Sequence, residues 1–396
     1  MGLYKGWPTL ESFIFLAKGG IGGMRRSNVR RWIATGLLGA ALLGVIPPYW
    51  GVLHVHAATD TVYITSSEDL QLKLAEGLGA REASITLKYK GPTKELEQLL
   101  KQAVNGALDS DPYTKYIVDR YTYSWKGTSG YAKITLQVSY RETAGQSAYV
   151  KRRVREILRE IIQPGMNVHQ KVKAIHDYVV LNLKYDRDLQ KYTAYEGLRT
   201  GKAVCQGYSL LTYQLLKTAG FNNMIVEGTA GDQLHAWNLV NIDSKWYHLD
   251  TTWDDPSPDN TGRVRYNYYL LTDEQMRQDH QWLKQYPEAS TLYRDSLRAM
   301  AAQKGAEGKS YQALEEQLGY DLYYPDAVIT DSAAMQKKVK QSLQAGESTV
   351  TVRYDGSERQ LLQDLVSLYE LQLNNISYLS SPLEGTDDLQ VEIHWE

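Results

Sequence analysis

Cysteine is nearly absent from this sequence. The chain of 396 residues has one cysteine, Cys205, and only three phenylalanines, although it has thirty tyrosines and nine tryptophans. A single thiol excludes an internal disulfide framework and a cysteine-rich zinc or iron–sulfur site. An excess of positive charge is also missing, since 44 Lys and Arg residues face 46 Asp and Glu residues. We therefore expect no nucleic acid among the partners of this protein.

Glycine-rich phosphate loops are missing as well, because none follows a predicted strand. No histidine pair has an acidic or cysteine partner at metal-ligand spacing. We therefore expect neither a cofactor nor a metal ion. The length and the apolar fraction of 43% suffice for a folded protein with more than one domain.

The first 57 residues have the order of a secretory signal. Arginines come first, an uncharged run over 33–46 follows, and a small residue, Ala57, stands at the cleavage point. The uncharged stretch continues to Leu53, close to the length of roughly 20 residues that a membrane span needs, but Pro47 and Pro48 interrupt it. A cleaved signal peptide and a retained N-terminal anchor both stay open as interpretations.

Both interpretations predict that the rest of the chain is exported. We expect a secreted or extracellular protein associated with the cell surface, and membrane contact only through an uncleaved anchor. Residues 58–396 carry 38 Lys and Arg residues against 45 Asp and Glu residues. The glycine-rich run just before Met24 has the composition of a translated ribosome-binding site, so Met24 is an alternative start of the protein.

The two ends of the exported part resemble each other. Residues 64–89 align without gaps with residues 329–354, and ten of the 26 positions are identical. In both copies a short strand leads into an amphipathic helix and then into an alternating strand. We predict two similar small α+β modules, over residues 58–145 and 325–396. A spacer role and a binding role both stay open for them.

The middle of the chain, residues 146–295, has a different pattern. Apolar residues at helical spacing predict a first helix, and Asn167 caps a second one. A third helix starts near Cys205 and ends at Gly220. Strands follow over residues 224–229, 235–242 and 245–250. We predict an α+β domain here, with a helical connector over 296–324 that leads to the C-terminal module.

Three residues of this domain suit nucleophilic thiol catalysis. Cys205 lies at the predicted start of a helix, where the helix dipole and unpaired backbone N–H groups favour the reactive thiolate. His235 and Asp250 lie on adjacent predicted strands. An imidazole accepts the thiol proton and later returns it to a leaving amine, while a carboxylate fixes the tautomer of the ring. Each of the three residues, taken alone, also fits a structural role.

A tight turn decides whether the histidine and the carboxylate meet. If Asp243 and Ser244 form a two-residue hairpin loop, the register places His235 opposite Thr252 and diagonal to Asp250, on one face of the sheet. A shift of one residue would place the two side chains on opposite faces. The predicted pair therefore depends on this turn.

Other groups of residues carry weaker indications. His169 and His176 share one face of a predicted helix, which we interpret as a surface pair. His248 shares a strand face with Asp250, and we interpret it as a packing residue. An acidic loop lacks the glycine of a calcium-binding EF-hand; its residues are Asp254, Asp255, Asp259 and Asn260. The candidate side-chain donors to an oxyanion are Tyr185, Gln206 and Gln233.

The motifs around the three residues resemble those of bacterial secreted members of the transglutaminase-like superfamily. The motifs are Gly201-Lys-Ala-Val-Cys205-Gln-Gly-Tyr208, Leu234-His235-Ala-Trp237-Asn238 and Trp246 to Asp255. The resemblance continues to His280 and covers roughly Met166 to Trp282, without the flanking modules. It implies a papain-like α+β core in which helices pack on an antiparallel sheet. It also implies Cys205 as nucleophile, His235 as base and Asp250 as the partner that orients the base.

The resemblance leaves the reaction open, because the superfamily includes peptidases, amide-cleaving enzymes, protein cross-linkers and inactive binders. Our first hypothesis is an exported cysteine hydrolase that forms a thioester with peptide or protein substrates, including peptidoglycan-linked ones. The alternatives are a cross-linking acyltransferase with the same three residues and a non-catalytic scaffold that binds wall components. The tryptophan that assists the oxyanion in animal transglutaminases has no clear match here, which weakens the cross-linking hypothesis.

Overall fold

The computed structural model describes residues 63–255 and 264–396. The described residues form two compact units, which divide between Gln146 and Ser147. The predicted signal or anchor over residues 1–57 lies outside the described residues. Within the described part of the chain, no helix combines the length and the apolar composition that a membrane crossing requires.

The first unit alternates helices with the strands of an antiparallel sheet. Its elements are α1 Ser67–Ala80, β1 Ser84–Lys90, α2 Leu96–Asp109, α3 Pro112–Ile117, β2 Val118–Thr128 and β3 Tyr131–Tyr140. The strand order is β1-β3-β2, and Ile64 adds a parallel bridge to β1. The side chain of Ser66 caps α1 by accepting a hydrogen bond from the Asp69 N–H group at 3.0 Å. Leu70 and Leu74 lie on one face of α1 and are buried in the core of this unit.

The second unit begins within a long helix and contains the candidate site. Its elements up to residue 317 are α4 Ala144–Ile161, α5 Val168–Asn182, β4 Lys184–Tyr185, α6 Ala194–Thr200, β5 Lys202–Ala203, α7 Cys205–Thr218, β6 Asn223–Ala230, β7 Gln233–Ile242, β8 Lys245–Leu249, β9 Tyr269–Leu271, α8 Asp273–Met276, β10 His280–Gln281, α9 Tyr293–Ala301 and α10 Ala306–Gln317. The predicted cap of the second helix is confirmed, since Asn167 and Gln170 form a reciprocal capping box at the start of α5.

An antiparallel sheet with the order β10-β6-β7-β8-β9 forms the centre of this unit. Helix α7 packs against β6 and β7. This helix is almost entirely buried, and Leu210, Leu211 and Leu215 have no exposed surface. A buried helix on an antiparallel sheet confirms the predicted α+β class.

The C-terminal segment has its own small sheet. Its elements are 3₁₀ turns at Tyr320–Tyr323, Pro325–Ala327 and Ser367–Leu371, strands β11 Val328–Ile329, β12 Thr349–Tyr354, β13 Ser377–Pro382 and β14 Leu389–His394, and helices α11 Ser332–Gln344 and α12 Glu358–Val366. The strand order is β11-β12-β14-β13, with β11 parallel to β12. The first unit has the same order once the bridge at Ile64 is included. The proposed boundaries and the common origin of the two segments stay predictions.

Candidate active site

The candidate active site lies at the start of α7. Cys205 is the first residue of this helix, and the extended residue before it, Val204, caps the helix without a side-chain hydrogen bond. The cysteine is buried, with 3% of its surface exposed. The positive end of the helix dipole therefore lies beside the thiol, as the sequence predicts.

Short segments on both sides place Cys205 at this point. Helix α6 ends at Gly201, which has a left-handed backbone with a φ of 67°. The next two residues, β5, pair in parallel with β4. The Val204 N–H group then donates to the carbonyl oxygen of Lys191 at 2.8 Å. These bonds fix the chain just before it enters α7 at the cysteine.

The hairpin of β7 and β8 has the predicted two-residue loop. Asp243 and Ser244 both have a left-handed backbone, with φ values of 50° and 66°, as a type I′ turn requires. Ile242 pairs with Lys245 across the turn. The register on which the predicted pair of His235 and Asp250 depends is therefore confirmed.

The predicted pairing does not continue as far as Thr252, because the chain leaves the sheet at Asp250. The Asp250 N–H group donates to the carbonyl oxygen of Tyr268 at 3.0 Å. Its side-chain Oδ1 atom accepts the N–H groups of Thr252 at 2.9 Å and Trp253 at 3.2 Å. This turn bends the chain away from β7, so the expected position of His235 opposite Thr252 is wrong. The side chain of Asp250 still reaches the histidine.

The histidine uses its two ring nitrogens for different partners. Nε2 of His235 lies 2.5 Å from Oδ2 of Asp250. This contact leaves Nδ1 for the thiol, and the Cys205 side chain is one of the groups that raise the pKa of the ring. A helix start, a strand and a turn thus bring together the three residues that the sequence singles out.

The opposite charges of His235 and Asp250 favour the ionised form of each other. Burial opposes a charge on the ring, but the charge of Asp250 and the hydrogen bonds with Asp250 and Cys205 raise the pKa of His235 to about 10. Burial also opposes a charge on Asp250, but His235 and His280 hold the pKa of this carboxyl well below its usual range. At neutral pH the pair is therefore an imidazolium and a carboxylate.

A second imidazole, which the sequence did not predict, contacts the carboxylate of Asp250. His280, in β10, places its Nε2 atom 3.1 Å from Oδ2 of Asp250. Aromatic rings border the pair of histidines, since the Trp237 ring stacks 5.7 Å from that of His235 and the Trp253 ring lies 4.6 Å from that of His280. The signal available in the sequence was the family resemblance, which extends to His280 without assigning it a role.

The same atoms are a candidate for metal binding. Among the described residues, His235, Asp250 and His280 form a group whose ligand atoms lie within 4.8 Å of one another. Hydrogen bonds from both rings to one carboxylate oxygen account for this closeness. The group is therefore explained by its internal hydrogen bonds.

The interpretation of His169 and His176 as a surface pair is wrong. The two residues are 2% and 0% exposed. Each ring is buried because it has a carboxylate partner. Nε2 of His169 lies 3.0 Å from Asp243 in the hairpin turn, and Nε2 of His176 lies 3.0 Å from Asp254. Each histidine therefore links α5 to a carboxylate from a distant segment of the chain.

The side chains of His248 and Asp254, which the sequence also singled out, contact partners other than the three predicted residues. His248 packs within the domain, where Nε2 lies 2.9 Å from Asp273 and Nδ1 accepts the Trp237 indole N–H at 2.9 Å. Burial raises the pKa of Asp254 to about 6, whereas Asp259 and Asn260 lie outside the described residues. Of the three candidate oxyanion donors, Gln206 follows Cys205 in α7 and is half-buried, while Tyr185 and Gln233 are exposed.

The comparisons with known proteins cover the part of the chain that contains the candidate site. Residues 155–251 match the family model of the Transglutaminase-like superfamily, and this range includes all three predicted residues. The chain is 27% identical over 179 residues to the kyphoscoliosis peptidase of Mus musculus, covering 39% of this chain and 27% of that protein. It is also 27% identical over 139 residues to the kyphoscoliosis peptidase of Homo sapiens, covering 30% of this chain and 21% of that protein.

The chain spans about a quarter of the length of these curated relatives. Among solved structures, a crystal structure of a TGase covers 61% of this chain and 74% of its own length, with 14% sequence identity and a TM-score of 0.28.

Proposed function

We propose that this chain, which contains a domain of the Transglutaminase-like superfamily, is a cysteine hydrolase that cleaves peptide or amide bonds. The observation that carries the proposal is the arrangement at His235, whose Nε2 atom contacts a buried carboxylate and whose ring interacts electrostatically with Cys205, the first residue of a helix. A nucleophile, a base and an orienting carboxylate in this order are the elements of covalent acyl transfer.

The reaction begins from the thiolate of Cys205 and the imidazolium of His235. The sulfur attacks the carbonyl carbon of the substrate, and the positive end of the helix dipole at the start of α7 stabilises the oxyanion. The imidazolium gives its proton to the leaving amine as the C–N bond breaks, which leaves a thioester and a neutral ring. The ring then takes a proton from water, the hydroxide attacks the thioester, and the carboxylic acid and the thiolate are released.

Hydrolysis is favoured over amine transfer by the curated relatives, both of which are named as peptidases. The missing match to the oxyanion tryptophan of animal transglutaminases points in the same direction. A lysine amine in place of water would give an isopeptide cross-link from the same thioester. The choice of acceptor therefore decides between the proposed function and the acyltransferase alternative.

We further propose that the enzyme acts at the cell surface or in the wall, on peptides or proteins that include peptidoglycan-linked ones. This step rests on the signal-like order of residues 1–57. Cell fractionation followed by N-terminal sequencing tests it. A mature chain that begins at Ala58 supports a cleaved signal, whereas an intact N-terminus in the membrane fraction supports an anchor.

The reaction is tested by incubating the full chain with peptidoglycan, a casein-like protein and a fluorescent amine, and by following fragments and amine incorporation in parallel. Cys205→Ala is the matched control, because it removes only the sulfur. New fragments without amine incorporation support the hydrolase. Incorporation without fragments favours the acyltransferase, and equal results for both proteins contradict an enzymatic role of Cys205.

A further inference from the structure

The carboxylate of Asp250 is shared between two imidazole rings. Its Oδ2 atom lies 2.5 Å from Nε2 of His235 and 3.1 Å from Nε2 of His280. The reaction as proposed uses only the ring of His235 and gives the second ring no part. We propose that His280 is a positioning residue, which holds Asp250 in the orientation that His235 needs. This inference rests on the proposed function.

The hydrogen bonds of Asp250 give the first reason. An ionised carboxylate offers about four lone-pair sites. Oδ1 accepts two backbone N–H groups, those of Thr252 and Trp253, and Oδ2 accepts from the two rings. All the sites of this fully buried group are therefore used, and both oxygens are fixed. Without His280, one site of a buried charge loses its donor, and the side chain is free to rotate away from His235.

The position of the second ring is itself well determined. His280 has no exposed surface, and its strand pairs with β6 opposite Ala230. The centroids of three aromatic rings lie close to that of His280, at 4.6 Å for Trp253, 5.0 Å for Trp237 and 5.4 Å for Tyr268. Packing on several sides prevents the imidazole from turning, so its Nε2 atom stays directed at Asp250.

A second carboxylate holds the far side of this ring. Nδ1 of His280 lies 2.5 Å from Oδ1 of Asp279, and the Tyr268 hydroxyl donates to Oδ2 of the same carboxylate at 2.5 Å. The contacts therefore run from Tyr268 through Asp279, His280 and Asp250 to His235. Such a chain of contacts fixes the plane of each ring, as the outer partners of metal-bound histidines do in other proteins.

The test uses a reaction that needs no substrate, the alkylation of Cys205 in the full chain by iodoacetamide. His280→Leu removes the donor to Asp250 and fills the same space with an apolar side chain. His280→Gln keeps an N–H donor near the position of Nε2. His169→Leu is the matched control, because His169 is also buried and bonded through Nε2 to a carboxylate, that of Asp243. Circular dichroism checks that each variant folds, and His280→Met replaces the Leu variant if that variant does not fold.

We expect His280→Leu to slow alkylation near pH 7 roughly tenfold, the lower end of the effect that such outer partners have. The difference should disappear at high pH, where the thiol ionises without help from the imidazolium. His280→Gln should recover most of the rate, and His169→Leu should keep it. A purely structural role of His280 predicts no such dependence on pH.

The inference is overturned if His280→Leu keeps the wild-type rate at pH 7 while His235→Ala lowers it. It is also overturned if His280→Leu and His169→Leu slow alkylation equally. A wild-type thiol that reacts no faster at pH 7 than a free cysteine would instead contradict the proposed function, and the role of His280 would fall with it.

Discussion

In the proposed mechanism Asp250 orients His235 as an ionised acceptor, whereas an amide in its place can donate as well as accept. In Asp250→Asn we therefore expect a folded protein that has lost most of its turnover. The corresponding substitution in a serine protease lowers turnover about 10⁴-fold. Substrate turnover and circular dichroism measure the two effects. Asp273→Asn is the matched control, since Asp273 bonds a different buried histidine, His248, at 2.9 Å. Wild-type turnover in Asp250→Asn would remove this residue from the mechanism.

In the proposed mechanism, the pKa of His235 sets the upper limit of the pH range in which the enzyme is active. Because Asp250 raises the pKa of this ring to about 10, the imidazolium is present below that pH and is lost as the pH rises through it. Turnover should therefore decline above about pH 10, when the leaving amine no longer receives a proton. In Asp250→Asn the charge that raises the pKa is gone, so the decline should begin at lower pH. Rate profiles of both proteins measure this, and an unchanged profile in the variant contradicts it.

At the scale of the element, the hairpin of β7 and β8 carries strain in its turn. Ser244 has a φ of 66°, a conformation that costs a residue with a Cβ atom about 1 kcal/mol or more and costs glycine little. Ser244→Gly should therefore raise the free energy of unfolding by up to about 1 kcal/mol, with the register and the turnover unchanged. Urea unfolding measures the first effect.

Ser348→Gly is the control for the prediction that Ser244→Gly stabilises the hairpin. Ser348 is exposed and lies outside the residues with positive φ, so glycine there only adds flexibility to the unfolded chain. We expect this variant to be slightly less stable than the wild-type protein. A loss of stability in both variants would show that the strain at Ser244 is not relieved by glycine.

The elements around the candidate site could be predicted because local signals define them. Asn167 marks the start of α5, Cys205 follows a glycine-containing loop, and Asp243 and Ser244 fix the register of the hairpin. The contact of His280 with Asp250 could not be predicted in this way. His280 belongs to a strand of two residues, which is too short to have a period, and it joins the sheet at the edge opposite β9.

The burial of His169 and His176 was missed for a related physical reason. Helical spacing shows that two histidines share a face, but it does not show which carboxylates will meet that face. Asp243 and Asp254 come from segments 74 and 78 residues away in the sequence. Long-range polar partners of this kind decide whether an imidazole can be buried.

At the scale of the whole molecule, the described residues divide into two units, and equivalent positions of the sequence repeat fall in different units. Leu70 and Met335 are such a pair, and neither has exposed surface. Replacement of either residue by alanine should lower the free energy of unfolding of its own unit by about 2–5 kcal/mol.

Cys205 allows the two effects to be separated, because it lies in the second unit. The fast alkylation of the native thiol near pH 7 should be lost at the wild-type urea concentration in Leu70→Ala and at a lower concentration in Met335→Ala. Circular dichroism, which records both units, should shift in both variants. Equal shifts of the alkylation curve would contradict the independence of the units.

The single buried thiol at the start of α7 also determines how the protein responds to oxidants. A sulfenic acid formed at Cys205 has no second cysteine in the chain with which to form a disulfide. It is therefore either reduced by a thiol from outside or oxidised further to a sulfinic acid, which is irreversible in most proteins. On the proposed function, oxidation of this one sulfur inactivates the molecule. The period over which a molecule stays active is then set by the balance of peroxide and small thiols around it.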